Sequence, residues 1–286
     1  MAAKSSCAKT EYERLNGGFE ITIKAAVLMW QESFHRYGSI VRYCYGLFTE
    51  LAPEIDSIFP DYSIYPKCDY AIGYITRGCP NQCKWCIVPK KEGSIHPYRS
   101  WTELVRRDTD KLVLMDNNIL SCKYGIEQLA GLVGSGYKID LNQGMDARLV
   151  TSEVADILTQ LEWIRYLRFS CDQESQIVPI LRTCKLLEER GIKPYRVFVY
   201  LLVTDDLDSA SRRVEALKRL PGINLYAQAE RNENLGIHPN KAQLEFANRY
   251  VYGGCFRQES WQEYMRRKKL SKMKKQIGQL QGEIFL

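Results

Sequence analysis

Between Tyr70 and Ala229, short β-branched and aromatic runs alternate with longer helical patterns. Parallel strands need a crossover of a dozen or more residues, usually a helix, so this alternation predicts an α/β fold on a parallel sheet. Six runs read as strands: "YAIGYIT" (Tyr70–Thr76), "KLVLMD" (Lys111–Asp116), "KIDLNQ" (Lys138–Gln143), "IRYLRFS" (Ile164–Ser170), "YRVFVYLLV" (Tyr195–Val203) and "INLYAQA" (Ile223–Ala229). The fifth is almost wholly apolar, as a strand covered on both faces should be. Helical patterns lie between them. Gly125–Gly136 is stopped by Gly134 and Gly136, Glu153–Trp163 is capped by Thr151 or Ser152, Gln176–Gly191 ends at its glycine, and Ser209–Leu220 closes at Pro221 and Gly222. Another covers Lys241–Gly254. Six units instead of eight predict a partial, three-quarter TIM-like (βα)6 barrel, with its chemistry on loops that follow strands.

The chain has 286 residues, enough for one catalytic domain with extensions. Its 45% hydrophobic and 26% charged residues suit a globular enzyme and exclude a disordered chain. The expected division is an N-terminal extension over residues 1–68, a core over 69–240, and a helical C-terminal extension with a basic tail over 241–286. Residues 1–52 do not share the βα rhythm, as though a domain there were truncated or replaced, and a helix is expected from about Ala25. The longest apolar stretch near the N-terminus, "AAVLMW", falls far short of the ~20 residues that span a bilayer. Residues 1–20 carry no apolar signal segment. A cytoplasmic protein without a membrane span is therefore expected, with its ten cysteines mostly reduced. Cys7, Cys44, Cys68, Cys122, Cys171, Cys184 and Cys255 are scattered singly and read as small core residues.

Three others cluster. "ITRGCPNQCKWCIVPKKEG" places Cys79, Cys83 and Cys86 on the loop after the first strand. Three thiolates at this spacing can hold three irons of a cubane cluster and leave the fourth iron without a protein ligand. The competing reading is a tetrahedral zinc site completed by His96. The spacing Cys79-x-x-x-Cys83-x-x-Cys86, with Trp85 before the last cysteine, resembles the radical S-adenosylmethionine (radical SAM) superfamily. The resemblance implies a [4Fe-4S] cluster, SAM chelated to its open iron, and a one-electron reductant of flavodoxin or ferredoxin type. It further implies reductive cleavage of SAM to methionine and a 5′-deoxyadenosyl radical that takes hydrogen from a substrate. "MDNN" (Met115–Asn118) stands where the superfamily has a Gly-Gly-Glu-like segment for the SAM amine, which makes Asp116 and Asn117 candidates, although the glycines are absent. "NQGMDARL" offers Gln143, Asp146 and Arg148, and "RFSCD" adds Arg168, Ser170 and Asp172 as SAM or substrate contacts. Tyr200 and Thr204 are further candidates beside the fifth strand.

Together with "IFPDYSIYP", these segments resemble a group of radical SAM proteins found in phages and mobile elements and related to cobalamin-linked members. "SFHRYG" (Ser33–Gly38) echoes a cobalamin motif with Ser33 in place of Asp. Cobalamin is not expected. A methylthiotransferase-like enzyme acting on RNA or protein is the second reading, because "CIVPKKEG" is similar to that family's segment after its cysteines. A non-catalytic iron–sulfur protein is the third. The formal charge of +6 is concentrated in "MRRKKLSKMKK" (Met265–Lys275), whose seven basic residues, when removed, leave −1 for the rest. Any attraction to nucleic acid therefore has to come through Arg266 to Lys275. The plain alternative is a solvated terminal helix.

Overall fold

The computed structural model describes residues 58–231, 236–251 and 259–284, with side chains as far as Lys274. The expectations for Ala25, the Ser33–Gly38 segment, Cys7, Cys44 and Cys255 lie outside the described residues. The chain forms two compact units, one of residues 1–72 and 106–109, the other of residues 73–105 and 110–286.

In the first unit, Arg106 ties the described residues together. Its guanidinium donates to the carbonyls of Cys68 and Tyr70 at 2.9 and 3.0 Å, pairs with Asp108, and lies 4.1 Å from the centre of the Tyr62 ring. Tyr62 in turn accepts from the Ile72 N–H at 2.9 Å, and burial pushes its phenol up to about 12.

The second unit is α/β with parallel sheets and helices. β1 (Ala71–Gly73) ends in it, where the Gly73 carbonyl accepts from Met115 N at 2.9 Å. β4 (Lys111–Leu114), β5 (Lys138–Leu141) and β6 (Glu162–Trp163) are neighbours in parallel, and so are β7 (Leu167–Ser170), β8 (Val197–Val203) and β9 (Asn224–Ala229). Met145 joins the two sets: its N–H donates to Arg168 O at 2.7 Å and its carbonyl accepts from Ser170 N at 3.2 Å. From β4 onward, neighbours in each sheet follow one another in the chain.

Helices follow the strands, and each except the short one in the cysteine loop buries residues three or four apart on one side. They are α2 (Lys123–Leu132), α3 (Ser152–Gln160), α4 (Ile177–Glu189), α5 (Leu207–Leu217) and α6 (Lys241–Arg249), with the short α1 (Val88–Lys91) in the cysteine loop. In α4 the buried set is Ile180, Thr183, Cys184 and Leu187. One strand face is equally apolar: Leu112, Leu114, Ile139, Leu141, Phe169, Val199, Leu201 and Leu225 are all buried. Each such side chain contributes about 1.5–3 kcal/mol. The other face carries Asp140, Arg168, Ser170, Phe198, Tyr200, Leu202 and Tyr226, of which Arg168, Ser170, Tyr200, Leu202 and Tyr226 stay partly exposed. β8 is therefore not covered evenly on both sides, as its composition had suggested.

Capping explains where several helices begin. Thr151 accepts from Val154 N at 3.2 Å, as expected, whereas Asp206, accepting from Ser209 N at 2.8 Å, starts α5 earlier than expected. The longest helix, α7 (Trp261–Ile284), covers the basic tail.

Three expectations need correction. The first strand breaks after Gly73, and β2 (Thr76–Arg77) instead pairs antiparallel with β3 (His96–Pro97). The cause is Asp116, whose carboxylate takes the N–H groups of Ile75 and Thr76 that a continuing strand would use. The helix expected to reach Trp163 stops at Gln160. Glu162 and Trp163 join the sheet beside Lys138 and Ile139, and the Trp163 indole donates to Leu158 O at 2.8 Å. Finally, α6 ends at Arg249 because Tyr250 and Val251 pair with β9, Ala227 N donating to Tyr250 O at 2.9 Å.

Candidate metal and cofactor site

The cysteine loop is closed at its base. β2 and β3 form its stem, and above them Cys79 N donates to Gly93 O at 3.1 Å. Gly78 has φ +82°, and a Cβ there would stand 2.3 Å from the Ser94 carbonyl oxygen, so only glycine fits. Glu92 locks the same place. Its carboxylate accepts from Gly78 N at 3.0 Å and from Asn117 Nδ2 at 2.9 Å, and it pairs with Arg77 at 3.2 Å. Arg77 also lies 4.2 Å from the Tyr74 ring centre.

From that base the loop carries three free thiols, with Cys79 buried and Cys83 and Cys86 partly exposed. Burial raises the Cys83 thiol, helped by Cys86 and Cys79 and opposed by Arg148. Burial also raises Cys86, with Cys79, Asp172 and Glu92 adding to the effect of burial and a hydrogen bond from the backbone of Val88 opposing it. These mutual influences put the three thiols within electrostatic reach of one another and of residues that follow β5 and β7.

Asn118, after β4, is buried and donates from Nδ2 to Cys79 Sγ at 3.7 Å, while its Oδ1 is buried without a partner. Asp146, after β5, accepts from Arg148 N, Nε and Nη2 at 3.0, 2.8 and 2.5 Å and from Asn81 Nδ2, between the first two cysteines, at 3.4 Å. Burial pushes the Asp146 carboxyl up, but the Arg148 bonds outweigh it and leave it below the usual range. Arg148 is thereby fixed as a cation beside Cys83 and Cys79. Asp172, after β7, accepts from Leu202 N at 2.9 Å, and its burial raises it. Behind it the fully buried Arg213 donates to the carbonyls of Cys171 and Leu202 at 2.7 and 2.9 Å.

The remaining sequence candidates are placed differently. Asp116 is fully engaged: both oxygens accept from Ile75 N at 3.1 Å, and Oδ1 also takes the N–H and hydroxyl of Thr76. It anchors the link between β1 and β2. Asn117 is held through its amide nitrogen by Glu92. Arg168 forms a two-toothed pair with Asp140 at 2.7 and 2.6 Å and touches Tyr200 Oη at 3.3 Å, within the sheet face. Tyr200 donates to Asn142 O at 3.2 Å and packs over Gly144. Gln143 and Ser170 make no side-chain hydrogen bond among the described residues, and Thr204 accepts from Asp206 N. Against the chain, no protein-family model matches and no curated protein does.

Among the described residues no three His, Cys, Asp or Glu side chains converge as ligands of a single metal ion, and His96 is exposed with Nδ1 2.9 Å from Ser94 O. A zinc tetrahedron through His96 has no support in this geometry. A cubane makes another demand, because each thiolate takes its own iron. The three free thiols lie on one closed loop, with the Asn118 amide N–H on Cys79 and the Arg148 cation beside Cys79 and Cys83. Of the scattered cysteines, Cys171 and Cys184 are buried and pushed up to about 12 by that burial, as core residues should be. Cys68 and Cys122 are partly exposed instead. Sequence reasoning missed Glu92, Asn118, Asn81 and Arg213. The only signal of the first was its place one residue before a loop-closing glycine.

Proposed function

We propose that the chain is a radical SAM enzyme on a three-quarter (βα)6 barrel, acting on a substrate held against the half-open strand face. One observation carries the reading: Cys79, Cys83 and Cys86 share a self-closed loop, with Asn118 on the Cys79 sulfur and Arg148 beside Cys79 and Cys83. When bound, a [4Fe-4S] cluster and SAM supply reductive cleavage of the sulfonium and a 5′-deoxyadenosyl radical, the electron coming from a flavodoxin- or ferredoxin-like partner.

The chain's own residues do the positioning. The three cysteines would hold iron as thiolates, and Arg148, fixed by Asp146, would offset the charge of Cys79 and Cys83. Gln143 and Ser170 have hydrogen-bonding capacity left for the polar groups of SAM or substrate, and so does the carbonyl oxygen of Asn117. Asp116 and Arg168 keep the frame that presents them.

The test is anaerobic purification, reconstitution with iron and sulfide, and incubation with dithionite and SAM, with Cys83→Ala as control. 5′-Deoxyadenosine from the wild type alone, detected by mass, is the expected result. A four-iron spectrum without that product would move the assignment to a non-catalytic iron–sulfur protein. Tightly held zinc in place of iron would overturn the reading.

A further inference from the structure

Glu92 stands where two parts of the candidate site meet. Its Oε2 accepts from Gly78 N at 3.0 Å and from Asn117 Nδ2 at 2.9 Å, while its Oε1 pairs with Arg77 at 3.2 Å. The bonds to Gly78 and Arg77 stay within the cysteine loop and its stem. The bond to Asn117 reaches outside them, to the segment that follows β4.

A carboxylate oxygen only accepts, whereas a side-chain amide has one donating and one accepting end. Glu92 therefore dictates which way the Asn117 amide lies, with its nitrogen toward the loop and Oδ1 turned away. That oxygen accepts no hydrogen bond among the described residues, and Asn117 is partly exposed. The next residue repeats the arrangement. Asn118 gives its Nδ2 to the Cys79 sulfur at 3.7 Å, and its Oδ1 is buried with no partner. Leaving a buried acceptor without a donor is costly, so this oxygen points to a bound group that supplies one. Two successive amides thus have their donating ends taken up and their accepting ends free. A group that meets them has to bring N–H or O–H.

We infer that Glu92 is a positioning residue of the SAM site: it fixes the polarity of Asn117, so that the ligand meets an oxygen there and not an NH2 group. The inference rests on the radical SAM reading of the loop. The last torsion of an asparagine side chain is soft and roughly two-fold, so an Asn117 released from Glu92 can turn its donors to the ligand instead. Because a single oxygen of Glu92 holds both Gly78 and Asn117, the closed loop and the oriented amide arise together.

The test uses the full chain, reconstituted anaerobically, with SAM as the probe. Its affinity is measured by equilibrium dialysis and expressed per four-iron cluster assembled. Asn117→Leu leaves Glu92 its bonds to Gly78 and Arg77; it should load iron like wild type and bind SAM about tenfold more weakly. Glu92→Met should weaken SAM binding to a similar degree. Asn117→Asp supplies the rescue, because its two oxygens are alike and present an acceptor whichever way the group lies. The double variant N117D/E92M should bind SAM within about threefold of wild type. Loss of a mere clamp on the loop would not be relieved by that exchange. No rescue, or wild-type affinity in Asn117→Leu, would overturn the inference. If Glu92→Met assembles no cluster, the single variants at Asn117 decide: weakening by leucine and not by aspartate supports the inference, and equal affinities overturn it. A wild type that binds no SAM takes down the reading of the loop and the inference together.

Discussion

Asn118 is the residue whose surroundings most demand a partner. It is buried, gives its amide proton to Cys79 Sγ, and leaves its own carbonyl oxygen without a donor. An N–H on a cluster sulfur stabilises the reduced, more negative state. Under the proposed function, Asn118→Leu should lower the cluster's potential by about 20–60 mV, the equivalent of one ordinary hydrogen bond. A redox titration followed by electron paramagnetic resonance reads this directly, and an unchanged potential would remove Asn118 from that role. Asp116 makes a prediction about stability. Burial, opposed by the Thr76 and Ile75 bonds, raises it from 3.8 to about 6. The folded chain then keeps a proton that the unfolded chain releases between pH 4 and 6. The associated stability is full below pH 4 and is lost as pH rises through 6, about 2–3 kcal/mol in all. Denaturation midpoints for wild type and Asp116→Asn should diverge across this window, with the pH slope from this group absent in the variant.

At the scale of elements, the cysteine loop depends on two glycines for different reasons. Gly78→Ala meets backbone at 2.3 Å as well as a positive φ, whereas Gly93, with φ +71°, has open space around it. Gly93→Ala should cost only the left-handed backbone, about 1–2 kcal/mol. Gly78→Ala should open the loop base and abolish iron loading, as measured by iron content after reconstitution beside a thermal melt. The elements were legible in the sequence where local chemistry decides them. The Thr151 cap and the apolar periods of β4, β5 and β9 depend on neighbours a few residues away. The break between β1 and β2 was not legible, because it depends on a carboxylate some forty positions later. The same holds for β6, a helical-looking pair recruited by the edge of β5. In the site, the three cysteines were legible from spacing alone, while Glu92 and Asn118 acquire meaning only when the chain brings them back to the loop. The roles expected for Asp116 and Arg168 also looked different from sequence, which does not reveal that their hydrogen bonds are already satisfied within the sheet.

Across the whole molecule, stability and charge are separated. The buried strands carry the core, and the positive charge sits on a helix whose residues Lys269 to Lys274 are exposed. Hydrogen exchange should find the amides of β8 slowest, opening only with global unfolding, and those of α7 beyond Lys268 among the fastest. Equal protection along the full length of α7 would contradict the exposure of Lys269 to Lys274. Among the described residues no helix is long and apolar enough to cross a membrane. The stem and clamp of the cysteine loop join its two ends directly, so the entropy of closing it is settled by contacts inside it and at Asn117. Such a segment behaves as a cassette. Residues between Cys86 and Glu92 can be exchanged or lengthened without shifting the register of the parallel strands beneath.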